Sequence, residues 1–362
     1  MLRSLRIENF RCFQLFELHQ LGRLNLLVGA NNSGKTSILE AVQLLSSQSN
    51  FESLREVMMG RGEYILNDER GGGRVAGDGR ELDVRHLFYG HEIDEGSQFS
   101  IVGNNDNDRE GITVSLKRKG QIGLFEDLRD FVLVIHWLGQ EDEPIELSLS
   151  PKEGLPLDYV RRIRKNSKNL DSRTQFVTSS SLTSEKMIEL FDQVVLTPEE
   201  ELVTEALQTI EPTIDRIASV GSEKYRYISS RSGFVVRLTD GDQRIPIGSM
   251  GDGIWRMLGL TLAIVNARNG ILLVDEIDTG LHFSTMSDMW KLIWETAKRL
   301  NVQVFATTHN SDCWTSLAAI ASNESPSEEG ITIQRIERGK PNSIVFTERQ
   351  VAIAAERGIE VR

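Results

Sequence analysis

Cysteine is almost absent from this chain, with Cys12 and Cys313 the only two in 362 residues. They stand far apart and without metal-type spacing, which argues against a disulfide framework or a structural zinc site and makes a reducing compartment, the cytoplasm, the expected setting. No run of about 18 uncharged apolar residues exists, so no membrane-spanning helix is expected. The start, Met-Leu-Arg-Ser-Leu-Arg-Ile-Glu, lacks the uninterrupted apolar core of a signal peptide. Internal repeats and sustained heptads are missing too, which excludes a solenoid and a long coiled coil. Basic residues are in deficit: 41 Lys and Arg face 53 Asp and Glu, a formal charge of −12. That balance disfavours a protein that coats DNA electrostatically. One local exception is Arg161-Arg162-Ile163-Arg164-Lys165-Asn166-Ser167-Lys168, which could grip phosphates but equally resembles a solvated helix face. At 39% apolar and 26% charged residues the composition is that of a globular protein.

What the chain does have is a complete P-loop. Residues 29–36 read Gly29-Ala30-Asn31-Asn32-Ser33-Gly34-Lys35-Thr36, the pattern GxxxxGK[ST]. An apolar run, Leu24 to Val28, reads as the strand before it, and Ser37 to Leu45 has the apolar spacing of the helix after it. A strand, a Gly-bounded loop and a helix N-terminus present converging backbone N–H groups to a phosphate chain. Lys35 would reach the β- and γ-phosphates, and the Thr36 hydroxyl would complete a Mg²⁺ shell.

A second apolar run, Ile271-Leu272-Leu273-Val274, ends in Asp275-Glu276. This is a Walker B pattern, in which Asp275 would hold Mg²⁺ and Glu276 would polarise the attacking water. Its uninterrupted apolar character suits the centre of a sheet covered on both faces. Three further segments narrow the class. Ser249-Met250-Gly251-Asp252-Gly253 precedes a helical stretch from Ile254 to Ala267 and forms a second phosphate cradle at a helix N-terminus. After Walker B comes Ile277-Asp278-Thr279-Gly280-Leu281-His282. A further buried strand, Val302 to Ala306, leads through Thr307-Thr308 to His309. Alone, His309 is an ordinary strand-end residue; the order of the motifs gives it weight.

The sequence resembles ABC-type ATPase heads of the RecF/SMC kind, and more closely the stand-alone ATPases related to OLD (overcoming lysogenization defect) proteins. The resemblance rests on Leu5-Arg6-Ile7-Glu8-Asn9-Phe10-Arg11-Cys12-Phe13, on Asn31-Asn32-Ser33 within the P-loop and on Thr307-Thr308-His309-Asn310. It covers roughly residues 1–50 and 225–362. It implies ATP and Mg²⁺ as cofactors, Glu276 as catalytic base, His309 as switch histidine and Asp278 as the D-loop acid. It also implies that Ser249, Gly251, Asp252 and Gly253 complete the nucleotide site of a partner protomer, beside the residues 29–37 (Ser37 included) that hold the chain's own nucleotide. Two departures stand out: Met250 and Asp252 replace the commoner glycine and Glu/Gln, and no Q-loop glutamine follows the first helix.

The expected fold is α/β, a P-loop NTPase of ABC-ATPase type with a mixed sheet, an antiparallel N-terminal part and an inserted helical lobe carrying the signature. Lys35 and Asp275 lie 240 positions apart (275 minus 35), so a large insertion is expected. The motif positions suggest residues 1–90 and 225–362 as the nucleotide-binding core and 91–224 as the inserted part. Within the insert, 99–102, 112–116 and 131–135 read as antiparallel strands, and 183–219 show helical spacing, with Pro198 restarting a second helix. After His309, residues 331–338 and 343–346 read as a hairpin and 348–357 as a short helix.

Full-length OLD-type proteins append an acid-rich Toprim nuclease domain, and the segment after His309 is expected to hold none. By resemblance, then, the expectation is an ATP-hydrolysing switch that forms an ATP-dependent homodimer or higher oligomer. It would control an effector encoded nearby, such as a Toprim-type nuclease, in defence against phage or foreign DNA. The alternative is a RecF/SMC-like DNA-repair or DNA-clamping ATPase that contacts DNA itself. An ABC importer subunit is disfavoured by the missing Q-loop and the long insertion.

Overall fold

The computed structural model describes residues 1–47, 52–66, 80–106, 108–118, 131–138, 143–157, 173–220, 232–241, 243–322 and 329–361. The basic run 161–168 lies outside them. The chain divides into two compact units, one of residues 1–19, 36–172 and 338–343, the other of 20–35, 173–337 and 344–362.

The second unit is built on a six-stranded sheet in the order β11-β15-β16-β3-β17-β18. Its strands are β3 (Leu24–Val28), β11 (Thr174–Val177), β15 (Ile271–Val274), β16 (Gln303–Thr307), β17 (Ile331–Arg335) and β18 (Ile344–Thr347). The first five of these pair in parallel, and β18 closes the edge antiparallel to β17. Every residue of β3 and β16 is buried. This is why those segments are apolar throughout rather than alternating: both faces of a parallel sheet are covered by its crossover helices. The one polar residue of β3, Asn25, is fully bonded, to Gly22, to the Val304 carbonyl and to the Thr332 hydroxyl. That satisfaction is what a buried amide requires.

The helices of this unit are α3 (Ser184–Val194), α4 (Glu199–Gln208), α5 (Asp252–Asn266), α6 (Met286–Leu300), α7 (Ser311–Ala321) and α8 (Glu348–Glu356). Helix α5 is buried almost all round, from Ile254 to Val265. It is therefore a core helix, its Trp255 edge-on to Phe234. A small antiparallel sheet, β12 (Ile214–Ser219), β13 (Phe234–Leu238) and β14 (Arg244–Pro246), runs directly into the signature segment. Here the structure corrects the helical expectation for 183–219. Helix α4 stops at Gln208 and, past Pro212, the β-branched pattern of Ile214 and Ile217 pairs with β13. Proline cannot continue a helix, and cross-strand packing sets the conformation of the residues beyond it.

The first unit holds an antiparallel sheet, β2-β1-β6-β7-β8-β9. It comprises the opening hairpin β1 (Leu2–Phe10) and β2 (Phe13–Leu18), then β6 (Gln98–Asn105), β7 (Arg109–Arg118), β8 (Phe131–Leu138) and β9 (Ile145–Ser148). A second small sheet joins β4 (Tyr64–Leu66), β5 (Arg80–Asp83) and β10 (Gly154–Pro156). Beside them lie α2 (Glu52–Gly60) and most of α1 (Lys35–Ser46). The buried Arg11 at the hairpin tip is clasped by Glu40 at 3.0 Å and Glu63 at 2.6 Å. Burial pushes the Glu40 carboxyl above its ordinary range against the pull of Arg11 and Arg61.

Helices α3 and α4 fall in the unit that holds β3, β15 and β16, and α2, β4 and β5 fall in the unit that holds the antiparallel sheet. No described helix is long and apolar enough to cross a membrane.

Candidate nucleotide-hydrolysis site

The fully buried β3 delivers the chain to Gly29 at φ +144°, where a Cβ would stand 2.4 Å from the Ile336 carbonyl oxygen. Only glycine fits there. Asn32 and Gly34 also take positive φ, 59° and 99°, before the chain enters α1. Backbone turned this way ahead of a helix N-terminus makes an anion-binding nest. Lys35 folds back over the loop, its Nζ donating to the carbonyls of Gly29 at 2.8 Å and Ala30 at 2.9 Å. Burial lowers its pKa while Asp275 and Glu276 raise it. The Ser33 hydroxyl is buried without a hydrogen-bond partner. An orphaned hydroxyl, a retracted lysine and a glycine cradle are what a phosphate chain would satisfy, so the residues fit the group. Thr36 and Ser37 follow as the second and third residues of α1, the Ser37 hydroxyl 3.9 Å from the Cys12 sulfur. The Asp275 carboxylate is a hard oxygen donor of the kind that Mg²⁺ takes.

The two acids of Walker B leave β15 in a geometry fixed by the neighbouring strand. Thr307, at the end of β16 and fully buried, donates from Oγ1 to Asp275 Oδ1 at 2.7 Å. The same oxygen accepts from the Glu276 N–H at 2.8 Å. Glu276 itself is left-handed, at φ +47°, which for a non-glycine residue costs about 1–3 kcal/mol and persists only when its surroundings over-determine it. The next residue, Thr308, donates to Asp278 Oδ1 at 2.7 Å. Adjacent threonines thus hold the two aspartates that flank Glu276. Glu276 and His309 remain accessible, with side chains 44% and 53% exposed and Oε1 to Nδ1 at 3.9 Å. Asn310 then caps α7 through Asp312 N–H.

Sequence reasoning missed Arg256. Its side chain emerges from the first turns of α5, 3% exposed, and crosses to the Walker B corner. Nη2 donates to the carbonyls of both Asp275 and Glu276 at 2.9 Å, and Nη1 to that of Thr178 at 2.5 Å. Burial pushes the guanidinium pKa down to about 10, against the attraction of Asp278, Asp275 and Glu276. The available signal was the one charged residue between Ile254 and Val265.

At the head of α5, Ser249 lies in a short 3₁₀ turn, Ile247–Met250, and Gly251 caps the helix at φ +95°. Ser249, Gly251 and Asp252 are exposed, and a Cβ on Gly251 would meet nothing within 4 Å. Gly253 instead packs onto the D-loop, its Cβ position 3.3 Å from the Gly280 carbonyl oxygen. The structure therefore brings Lys35 into electrostatic contact with Asp275 and Glu276 and pairs Glu276 with His309, while Asp278 joins them through Thr308 and Arg256. It leaves the signature facing outward.

This arrangement, with a P-loop, Walker B and switch strand on adjacent parallel strands and a signature on the helix behind, defines an ABC-type ATPase head. Solved structures agree on the fold. An Smc head bound to the C-winged helix domain of ScpA superposes with a TM-score of 0.54 at 13% identity, over 96% of this chain and 98% of that one. A Pyrococcus furiosus Smc head with an extended coiled coil, bound to the C-terminal domain of ScpA, gives 0.53 at 10% identity over 99% of each. Residues 24–312 match the family described as "AAA domain, putative AbiEii toxin, Type IV TA system", and the chain belongs to that family. An ATP/GTP phosphatase of Helicobacter pylori is 23% identical over 339 residues, 86% of each chain. The RecF protein of Xanthomonas axonopodis pv. citri is 37% identical over 87 residues, 23% of this chain and 24% of RecF. The likeness to the Smc heads is one of fold, and the likeness to RecF is confined to those 87 residues.

Proposed function

We propose that this protein is an ATP-hydrolysing switch in which two copies close on nucleotide and hand that state to a partner effector. The observation that carries the reading is Arg256. It joins the helix whose exposed N-terminus bears Ser249 and Gly251 to the backbone of Asp275 and Glu276. A phosphate of a nucleotide held by one copy, meeting the signature of the other, would thereby act on the second copy's own base.

In this reading Lys35 neutralises the β/γ-phosphates, Glu276 takes the proton of the attacking water, and His309 stands beside the forming product. Mg²⁺, held by Thr36 and Asp275, would neutralise phosphate charge. The effector is read as a nuclease and the setting as defence against foreign DNA, as the OLD resemblance implies.

Sedimentation of Glu276→Gln with and without ATP-Mg²⁺ tests the closure. Nucleotide should convert monomer to dimer, and Ser249→Arg should abolish that conversion while single-copy ATP binding survives. A dimer indifferent to nucleotide and to Ser249→Arg would refute it.

A further inference from the structure

The small sheet ahead of the signature carries a row of arginines that the ATPase chemistry does not use. In its register Arg216 on β12 lies directly opposite Arg237 on β13, and Arg237 directly opposite Arg244 on β14. Directly opposed residues of an antiparallel sheet point to the same face, and all three are exposed. Strands about 4.8 Å apart place the three guanidinium stems across about 10 Å. One step along the same face lies a second row, Ala218, Val235 and Pro246, small side chains that leave the sheet open to approach. The other face is spent on packing: Ile217, Phe234 and Val236 are buried. A cavity of about 500 Å³ borders the arginine row.

Like charges directly opposed in a sheet are destabilising. The only ion pair here among the described residues is Arg237 with Asp215, and Asp240 stands exposed in the turn beyond β13. In a chain of net charge −12 this is a local reversal of sign, laid out on paired strands.

We infer that the β12–β14 face binds the phosphodiester backbone of nucleic acid. Arginine forks match phosphate oxygens two at a time, and a row of three across strands suits successive phosphates. Among the described residues the face has no aromatic on which a base could stack, so recognition by the three arginines would be of the backbone and independent of sequence. An acidic protein segment fits less well, because protein docking draws on large buried anchors and Ala218, Val235 and Pro246 supply none. The site leads straight into the signature: Ser249 is the third residue after Pro246. The inference does not depend on nucleotide-driven closure.

The test is fluorescence anisotropy of the whole chain, without nucleotide, on a labelled duplex and its single strand over about 50 to 200 mM salt. Three phosphate contacts should give log K against log salt a slope component of about −2.7 on duplex. Arg216→Ala/Arg237→Ala/Arg244→Ala should lose that component and at least tenfold in affinity, with wild-type ATP turnover showing it folded. The triple lysine variant should keep the slope at lower affinity. Should the triple alanine variant fail to fold, Arg216→Ala and Arg244→Ala singly should each lower the slope by about 0.9. Unchanged affinity and slope in the alanine variants, or no duplex binding by wild type at about 50 mM salt, would overturn the inference. Equal binding of a polyglutamate peptide would replace nucleic acid with an acidic protein partner.

Discussion

The Thr307 hydroxyl sits 2.7 Å from Asp275 Oδ1 and, on its other side, accepts the Glu276 N–H at 2.8 Å. One oxygen at the end of β16 thus fixes both Asp275, the proposed metal ligand, and Glu276, the proposed base. Valine has the same shape and β-propensity but neither bond, so Thr307→Val should leave the sheet intact and disturb only the acids. A buried donor–acceptor pair of this kind is worth about 1–3 kcal/mol. ATP turnover should fall about tenfold to a hundredfold, with nucleotide affinity in the absence of Mg²⁺ nearly unchanged. Full turnover in Thr307→Val would show that Asp275 and Glu276 hold their positions without it.

At the other end of the site Gly29 is the tightest point of the cradle. Gly29→Ala would drive a methyl to 2.4 Å from the Ile336 carbonyl oxygen, on a backbone at φ +144°. Both effects push the P-loop away from the β17 end. We expect a loss of stability of about 1–3 kcal/mol and failure to retain ATP. Gly251→Ala, with positive φ but open space, should cost less and leave ATP binding alone. Thermal unfolding of the two variants, each with and without ATP, checks the ordering.

The elements that carry the hydrolysis motifs were legible because each motif is contiguous with its strand or helix. Leu24–Val28, Ile271–Val274 and Gln303–Thr307 are buried on both faces and so read as apolar runs without reference to anything distant. Three things were not legible. Strand β11 is a four-residue edge whose identity comes only from pairing with β15. The β12–β14 sheet is short and charged on its outer face, so 214–219 showed a helical spacing that cross-strand pairing overrides. Arg256 belongs to α5 by sequence and to Walker B by contact, and only the packing of the helix reveals the second fact.

The two thiols should behave oppositely to a labelling reagent. Cys313 is buried in α7, and burial raises its pKa far above the ordinary thiol range. Cys12 reaches solvent, though partial burial raises it too, with the Ser37 hydroxyl pulling the other way. The thiolate is the reacting form, so both should be slow at neutral pH and Cys12 should quicken as pH climbs past its ordinary value. Native protein should therefore yield one modified cysteine under mildly alkaline conditions, and denatured protein two. Mass spectrometry of the modified peptides decides it; a native Cys313 adduct formed as fast as that of Cys12 would mean that α7 opens readily.

Arg256 makes the sharpest claim on mechanism. Glu276 is held left-handed from two sides, its N–H by Thr307 and its carbonyl by Arg256. Removing the guanidinium in Arg256→Ala leaves the carbonyls of Thr178, Asp275 and Glu276 without that donor and frees Glu276, the proposed base, to relax toward an ordinary backbone. Truncating a buried charged hydrogen-bonding group costs about 1.5–3 kcal/mol of stability. A merely structural arginine would show that loss and nothing else. A positioning arginine would also lower kcat, by about a hundredfold, while the Kd for ATP, set by the P-loop, stays within a few-fold. Arg256→Lys carries the charge but not the fork that spans three carbonyls, so it should recover stability more than kcat. A variant whose melting temperature drops while kcat holds would reduce Arg256 to a strut in the core and remove the link from signature to base.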